Sequence, residues 1–296
     1  MAEVRIAVVN GKGGVGKTSL VAHLLGAAAL SGWKALGVDL DQQGNLARDL
    51  GYVDRSDGGE GLLQATIAGK ELNIIRGVRH NLDVVSGGIG TRMLGDHLSI
   101  AALRGGPASI DRLAEVLRAV DDDYDLVVLD LPPGEALIQQ AAMRYARYLV
   151  IPTPGDEASN DGLGSVYGEL HAARQANVHL EVLGVVVTFV PTAARRLLRQ
   201  IREDLGSMLG ERVRIFEPPI RYAKVAAMDC RSRGMLAFEY EKAARSASSY
   251  WKARKNGTEP ERFGGNAEGL AEDYQRLASQ ILGAAKKALE EVEVGE

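Results

Sequence analysis

The feature that most constrains the fold is a glycine-rich segment directly after the first apolar run of the chain. The run Val4 to Val9 is followed by Asn10-Gly11-Lys12-Gly13-Gly14-Val15-Gly16-Lys17-Thr18, with Ser19 next. Glycines let successive backbone N–H groups turn toward one point, and a helix beginning at Lys17 adds the partial positive charge of its N-terminus. This order of strand, loop and helix predicts a P-loop that binds nucleotide phosphates.

Apolar runs of strand length alternate with longer helical patterns along the chain. The predicted strands are Val4 to Val9, Ala35 to Leu40, Leu82 to Val85, Leu126 to Leu131, Tyr148 to Pro152, Val182 to Phe189 and Val213 to Phe216. The predicted helices include Lys17 to Leu30, Ile110 to Val120, Ala136 to Arg147, Asp161 to Gln175 and Ala193 to Leu209. The alternation is typical of βαβ units and predicts an α/β fold of the P-loop NTPase type, a mostly parallel twisted sheet flanked by helices.

The composition is that of a soluble globular protein, with 46% hydrophobic and 25% charged residues among 296. We expect one domain over residues 1–296, with a polar insertion near 246–265 and a C-terminal helix over 267–292. No apolar run approaches the roughly 20 residues that span a bilayer. Strand-like sequence begins within a few residues of Met1, which leaves no room for a signal peptide. A cytoplasmic protein is therefore expected.

Cysteine usage and charge narrow the function further. Cys230 is the only cysteine, which excludes an internal disulfide and argues against an iron–sulfur cluster held by one chain. The net charge is −4, yet the segment from Arg195 to Lys255 holds fifteen Lys and Arg against seven Asp and Glu. A basic third in an acidic chain favours one surface that faces nucleic acid.

The loop carries a second lysine, Lys12, which the nucleotide of its own subunit does not require. The stretch Lys12 to Thr18 resembles the loop Lys-Gly-Gly-Xaa-Xaa-Xaa-Lys-Thr of the deviant Walker A ATPases in the ParA and MinD superfamily. The resemblance implies an ATP-bound homodimer in which Lys12 reaches the phosphates of the partner subunit. Lys17 is expected on the β and γ phosphates and Thr18 on Mg²⁺, so ATP and Mg²⁺ are the expected cofactors.

Two acidic segments extend the resemblance. Asp39-Leu40-Asp41-Gln42-Gln43-Gly44-Asn45 is similar to the ParA pattern Asp-Leu-Asp-Pro-Gln-Gly-Asn, and Tyr124 to Pro133 is similar to the Walker B strand of that family. The resemblance implies that Asp41 orients the attacking water, that Asp39 lies beside the metal and that Asp130 holds Mg²⁺ through water. Gln42 replaces the family proline, which is expected to alter loop motion without removing the Asp41 carboxylate.

Later segments favour the ParA branch. Val150 to Pro154, Val186 to Phe189 and Pro219-Ile220-Arg221 are similar to ParA segments, so that the resemblance covers Val4 to about Tyr240. It implies that Pro219 and Ile220 lie at the nucleotide, and that the ATP-bound dimer binds DNA without sequence preference through basic residues. The candidate DNA contacts are Arg195, Arg196, Arg199, Arg202, Arg221, Lys224, Arg231 and Arg233.

In ParA systems a centromere-binding ParB-like partner stimulates slow hydrolysis, and the dimer associates with the nucleoid. Both properties are expected here by resemblance. The nearest alternative is a MinD-like ATPase that positions itself on a membrane through a basic amphipathic helix. The last predicted helix ends in Glu290-Glu291-Val292-Glu293, which anionic headgroups would repel, so no membrane partner is expected. A binding protein without turnover remains a further alternative.

Overall fold

The computed structural model describes residues 4–105, 110–154, 160–191, 213–247 and 267–293, together with positions 196, 198–201, 203 and 263. Its strands are β1 (Val4–Val8), β2 (Ala35–Asp39), β3 (Ile75–Arg79), β4 (Leu82–Val85), β5 (Leu126–Asp130), β6 (Tyr148–Pro154), β7 (Glu181–Thr188) and β8 (Ile215–Phe216).

Ten α-helices have defined bounds in the described part of the chain. They are α1 (Lys17–Leu30), α2 (Asn45–Leu50), α3 (Glu60–Ala68), α4 (Ile89–Gly105), α5 (Asp111–Arg118), α6 (Ala136–Tyr145), α7 (Asn160–Arg174), α8 (Lys224–Arg233), α9 (Ala237–Ser246) and α10 (Glu268–Glu293). None of the helices in these residues is long and apolar enough to cross a bilayer.

The described strands form one eight-stranded sheet in the order β3-β4-β2-β5-β1-β6-β7-β8. Every neighbouring pair is parallel except β3 and β4. A parallel sheet requires crossover connections, and the helices of those connections cover both of its faces. The predicted fold class, a mostly parallel sheet flanked by helices, is confirmed.

The sheet separates two apolar cores. On one face, Ile6 and Val8 of β1 pack with apolar residues of α1, α2, α8, α9 and α10. On the other face, Ala7 of β1 and the following Val9 pack with residues of α3 to α7. Successive side chains of a strand point to opposite faces, which is why one strand contributes to both cores. The central strands β2 and β5 are buried along their whole length.

The largest difference from the predicted elements is β3, which no predicted strand anticipates. Its sequence, Ile-Arg-Gly-Val-Arg, is largely polar, and only Ile75 is fully buried because the strand lies at the edge of the sheet. The predicted helix Ala193 to Leu209 lies mostly outside the described residues, although positions 196, 198–201 and 203 are helical. The polar insertion near 246–265 also falls almost entirely outside them.

The topology brings the carboxyl ends of three central strands together. β1 lies between β5 and β6, and β5 lies between β1 and β2. Because these strands are parallel, the loops that follow β1, β2 and β5 meet at one edge of the sheet, where open α/β sheets bind their ligands.

Candidate nucleotide-binding site

The glycine-rich loop joins β1 to α1 and turns through left-handed backbone conformations. Gly14 has a φ of 75° and Gly16, the N-cap of α1, has a φ of 88°, values that favour glycine. The loop is fixed to the neighbouring strand by Asn10, whose Nδ2 donates to the backbone oxygen of Pro152 at 2.8 Å. Asn10 Oδ1 accepts the N–H of Lys12, also at 2.8 Å. The Asn10 side chain therefore helps to preorganise the loop.

Lys17 is the buried lysine of the loop, with 6% of its surface exposed. Its Nζ donates to the backbone oxygens of Asn10, at 3.1 Å, and Lys12, at 2.8 Å. Burial lowers the pKa of the Lys17 ammonium, whereas the charges of Asp130 and Asp41 act to raise it. The side chain is held beneath the glycine loop with acidic neighbours on the strand side.

Two carboxylates stand side by side at the ends of adjacent strands, since Asp39 of β2 is in register with Asp130 of β5. Asp39 accepts the N–H groups of Asp41, at 3.0 Å, and of Leu46, at 3.2 Å. Burial, followed by the charge of Asp130, raises the pKa of Asp39 well above its usual range. The hydrogen bonds show that Asp39 organises the loop between β2 and α2.

Asp130 differs from Asp39 in having no hydrogen-bond donor for either buried carboxylate oxygen among the residues described. Burial raises the pKa of Asp130 to about 7, whereas the nearby Thr18 hydroxyl and the charge of Lys17 act to lower it. Unsatisfied buried carboxylate oxygens are costly, and a hard divalent cation is their natural counter-charge. Asp130 and the Thr18 hydroxyl therefore fit a Mg²⁺ ion.

Asp41 begins the loop after β2 and is 8% exposed. Its Oδ1 accepts the N–H of Gln43 at 2.9 Å. Gln42 beside it is exposed. Gly87 approaches this loop so closely that a Cβ there would lie 2.7 Å from the Asp39 carboxyl and from the Asp41 oxygen. The sequence prediction missed Gly87, since nothing in the local pattern distinguishes it.

A cavity of about 610 Å³ opens beside the loop. One wall consists of residues 13–19 together with Asp41, Gln43 and Asn45. The other wall is more apolar and comes from the C-terminal part of the chain: Phe189, Ile220, Tyr222, Met228, Leu270 and Tyr274. A polar end with backbone N–H groups and an apolar end suit the phosphates and the base of a nucleotide.

The predicted nucleotide-binding residues divide into two groups in this structure. The residues Gly13, Gly14, Val15, Gly16, Lys17, Thr18, Ser19 and Ile220 line the cavity. Gly11, Lys12 and Pro219 are not part of its lining. Lys12 is only partly buried. Phe189 adopts a φ of 60°, and its ring lies 3.1 Å from the position of a Cβ at Gly16. A larger residue at position 16 would displace that ring.

The predicted DNA-binding residues are not equivalent. Arg221 binds Asp273 through Nε, at 2.6 Å, and Nη2, at 2.8 Å. Arg231 Nε binds Asp49 at 2.6 Å, and the guanidinium of Arg233 stacks over Phe263, 4.7 Å from the ring centroid.

Lys224 is exposed and lines the cavity together with Arg221 and Arg231. Arg196 and Arg199 are exposed. Arg195 and Arg202 lie outside the described residues.

Asp49 of α2 joins the phosphate-binding helix to α8. It accepts the Ser19 hydroxyl at 2.8 Å and the Arg231 guanidinium on its other oxygen. The carboxylate is 5% exposed, so both donors compensate a buried charge. Sequence reasoning missed this residue, because the contact with Arg231 joins positions 182 apart in the chain.

The glycine loop, the buried lysine and the strand-end carboxylates define a P-loop nucleotide-binding protein. Residues 3–182 match a protein family described as an AAA domain. The chromosome-partitioning ATPase Soj of Thermus thermophilus is 33% identical over 220 residues, which span 71% of this chain and 78% of Soj. The chain belongs to the ParA family of partition ATPases, within the ParA and MinD superfamily, and is an ATP hydrolase.

A further relative agrees with this assignment. The chromosome partitioning protein ParA of Myxococcus xanthus is 25% identical over 254 residues, which span 83% of this chain and 84% of that protein. The septum site-determining protein MinD of Pyrococcus horikoshii, solved with Mg-ADP, shares the fold with a TM-score of 0.64 at 19% identity. The two structures match over 93% of this chain and 94% of MinD. As a P-loop ATPase, the chain takes ATP and Mg²⁺ as its cofactors.

Proposed function

We propose that this chain is a DNA-segregation ATPase of the ParA type. Its ATP-bound homodimer binds DNA non-specifically, and a ParB-like centromere-binding protein stimulates its slow hydrolysis. The observation that carries the proposal is the separation of the two loop lysines: Lys17 lines the cavity and Lys12 does not. A lysine that served only its own subunit's phosphates would line that cavity. The position of Lys12 therefore favours contact with a second subunit.

The proposed reaction transfers the γ-phosphoryl group of ATP to water, giving ADP and inorganic phosphate. Asp41, at the cavity wall, accepts a hydrogen bond from the attacking water and orients it. Lys17 neutralises the β and γ oxygens of its own nucleotide, and Lys12 those of the partner. Mg²⁺ supplies further charge neutralisation when bound.

Asp130 and Thr18 are the residues that hold the ion in this proposal. Asp39 is also expected beside the metal. Because it accepts two backbone N–H groups, we propose that its main role is to fix the loop that carries Asp41.

The proposed DNA surface consists first of the exposed basic residues Arg196, Arg199 and Lys224, with Arg195 and Arg202 as further expected contacts. Arg221 and Arg231 already bind carboxylates of the same chain, so a DNA phosphate would compete with Asp273 and Asp49. We assign these two residues a smaller share of the DNA affinity. Contacts with DNA phosphates release counterions, which makes the binding sensitive to salt.

The packing of α10 disfavours the MinD-like alternative. Its apolar residues Leu270, Tyr274, Leu277 and Ile281 are buried in the core that α10 shares with α1. An interfacial helix needs such a face free to enter the lipid. The same packing supports treating residues 1–296 as one ATPase domain, since α10 completes the core beside the P-loop helix.

DNA binding across a salt series, with ATP, ADP or no nucleotide, tests the proposal. We expect binding with ATP alone, a loss of affinity as salt rises, and a marked further loss when Arg196 and Arg199 are both changed to Gln. Arg112→Gln, on the exposed face of α5, is the single-charge control, and each single variant, Arg196→Gln or Arg199→Gln, should lose more affinity than it does. Co-sedimentation with anionic liposomes in ATP, without any DNA binding, would instead support the MinD-like reading.

A further inference from the structure

A second, strongly basic cavity lies at the edge of the sheet opposite the P-loop. Its volume is about 420 Å³, and its polar lining includes Arg5, Arg118, Arg144, Arg147, Asn177 and His179. We call it the arginine cavity. Among the residues that the structure describes, no carboxylate lines it. Four guanidinium groups surround this one concavity, and each stays charged at any physiological pH.

The position of the arginine cavity follows from the starts of two strands. Arg5 is the second residue of β1, and Arg147 directly precedes β6. The N–H of Arg147 donates to the backbone oxygen of Arg5 at 2.9 Å, which keeps the two residues adjacent. The P-loop follows the other end of β1, on the order of 15 Å away at the usual rise per strand residue. The two sites do not share a lining residue.

Carboxylates near the cavity use only part of the donors that the arginines offer. Arg144 binds Asp111 at 2.6 Å, whereas Arg5 lies 3.5 Å from Asp121 and Arg147 lies 3.6 Å from Glu181. The Nε–H groups of Arg5 and Arg147 are buried without an acceptor in the part of the chain described. A guanidinium has five N–H donors, so each of these two keeps capacity for an anion.

Helix ends explain two of the four arginines. Arg118 is the last residue of α5, and Arg144 lies in the last turn of α6. Cations are stabilising at these carboxyl ends, and Arg118 Nη2 also donates to the backbone oxygen of Arg144 at 3.0 Å. Arg5 and Arg147 lie on strand starts, where no helix dipole requires a cation. Arg5 also compensates the buried Asp121 carboxylate, whereas Glu181, the partner of Arg147, is 54% exposed, so Arg147 is the arginine that structural stabilisation explains least.

We propose that the arginine cavity binds a small anion carrying two or more phosphate groups, at a site separate from the P-loop. Guanidinium groups bind phosphate oxygens in pairs of parallel hydrogen bonds, and several of them suit an anion of more than one charge. The volume lies within the roughly 300–1,000 Å³ typical of small-molecule pockets. A concavity of this size can enclose a small anion, whereas a DNA duplex would reach only its rim.

Pyrophosphate is a suitable probe, titrated calorimetrically into the full chain carrying Lys17→Ala so that the P-loop contributes little binding. We expect pyrophosphate to bind at one remaining site. Arg118→Gln should lower the affinity of that site at least about tenfold, because it removes a charge-assisted contact. Arg118→Lys, which keeps the charge but not the paired geometry, should lose less. Arg112→Gln is the matched control, because Arg112 is exposed on the same helix and lies outside the cavity.

Thermal unfolding of each variant verifies that it is folded, and Arg118 is exposed enough for its replacement to be tolerated. If folding of Arg118→Gln fails, phosphorus NMR of wild-type protein saturated with a non-hydrolysable ATP analogue gives the second measurement, with a bound pyrophosphate signal expected. Absence of any site in Lys17→Ala, or equal affinity in Arg118→Gln and Arg112→Gln, overturns the proposal. Displacement of pyrophosphate by short duplex DNA also overturns it, in favour of a nucleic-acid surface.

Discussion

The ammonium group of Lys17 donates to the backbone oxygen of Lys12 across 2.8 Å. The Lys17 side chain, which lines the nucleotide cavity, thus stabilises the backbone of Lys12, whose side chain does not line it. In the proposed dimer, Lys17 contacts the phosphates of its own subunit's nucleotide and also holds the backbone of Lys12. The Lys12 side chain extends toward the partner subunit. The two positions are coupled structurally, although their substitutions should have different effects.

Replacing the two lysines separately should distinguish nucleotide binding from dimer formation. Lys17→Ala removes the buried ammonium beneath the loop and is expected to weaken ATP binding at least about 100-fold, since several charge-assisted contacts are lost. Lys12→Ala should leave the ATP affinity of the monomer within about threefold and abolish the ATP-dependent dimer. Fluorescent-nucleotide titration and light scattering provide the two measurements. Equal loss of affinity in both variants would contradict the assignment of Lys12.

Asp41→Ala should abolish phosphate release while leaving ATP binding and ATP-dependent dimerisation. The reason is that Asp41 lies on the cavity wall, where it would orient water, and the phosphate contacts come from other residues. Gln42→Ala changes the exposed neighbour and serves as the control, with turnover within about threefold of wild type expected. The measurement is phosphate release under single-turnover conditions. Unchanged turnover in Asp41→Ala would show that another group positions the water.

His23 should make the protein less stable in acid. Its Nδ1–H donates to the Ser19 oxygen at 2.7 Å, so Nε2 is left to accept the N–H of Ala237 at 2.9 Å. Burial lowers the pKa of His23 to about 4 from the usual 6.5. The folded state favours neutral imidazole, so stability is full above pH 6.5 and falls as the pH drops toward 4.

The loss of stability from His23 should reach about 3 kcal/mol, from about 2.5 pKa units. His23→Phe keeps an aromatic ring against Tyr274, whose ring centroid lies 3.6 Å from that of His23, but cannot titrate. Denaturant unfolding from pH 4 to 7 should therefore show a shallower pH slope in His23→Phe than in wild type. Parallel slopes would mean that other groups cause the acid sensitivity.

Arg231→Gln should reduce stability even without DNA. The substitution leaves the buried Asp49 carboxylate with the Ser19 hydroxyl as its side-chain donor among the described residues. The side chain of Arg231 is 43% exposed, so the expected cost is at the lower end of about 1–3 kcal/mol. Arg245→Gln is the control, because Arg245 is 68% exposed and its ion pair with Glu268 should contribute little. Chemical denaturation provides the comparison, and equal stabilities would argue that Arg231 serves mainly another ligand.

The sequence was sufficient to predict the fold class, the strand containing Asp130 and the P-loop, because these depend on local periodicity and on glycine spacing. The apolar wall of the cavity could not be predicted in the same way. Phe189 reaches Gly16 through an unusual positive φ, and Tyr274 reaches the cavity from the last helix. Such contacts join distant parts of the chain and depend on the relative placement of complete helices.

The sequence also could not show which charged residues pair with each other. Arg221 and Arg231 belong to a basic segment, yet each binds an acidic residue far away in the chain, Asp273 and Asp49. The net charge of a segment indicates a basic region but does not show which members are already neutralised. Exposure and partners, which only the folded chain defines, make Arg196, Arg199 and Lys224 the better candidates for DNA contact.

The packing of α10 against α1 links nucleotide binding to local unfolding. Leu270 and Tyr274 of α10 line the same cavity as the glycine loop, and both are buried in the core that α10 shares with α1. Undocking of α10 would remove one wall of the cavity. A nucleotide that contacts both walls therefore stabilises the docked helix by mass action.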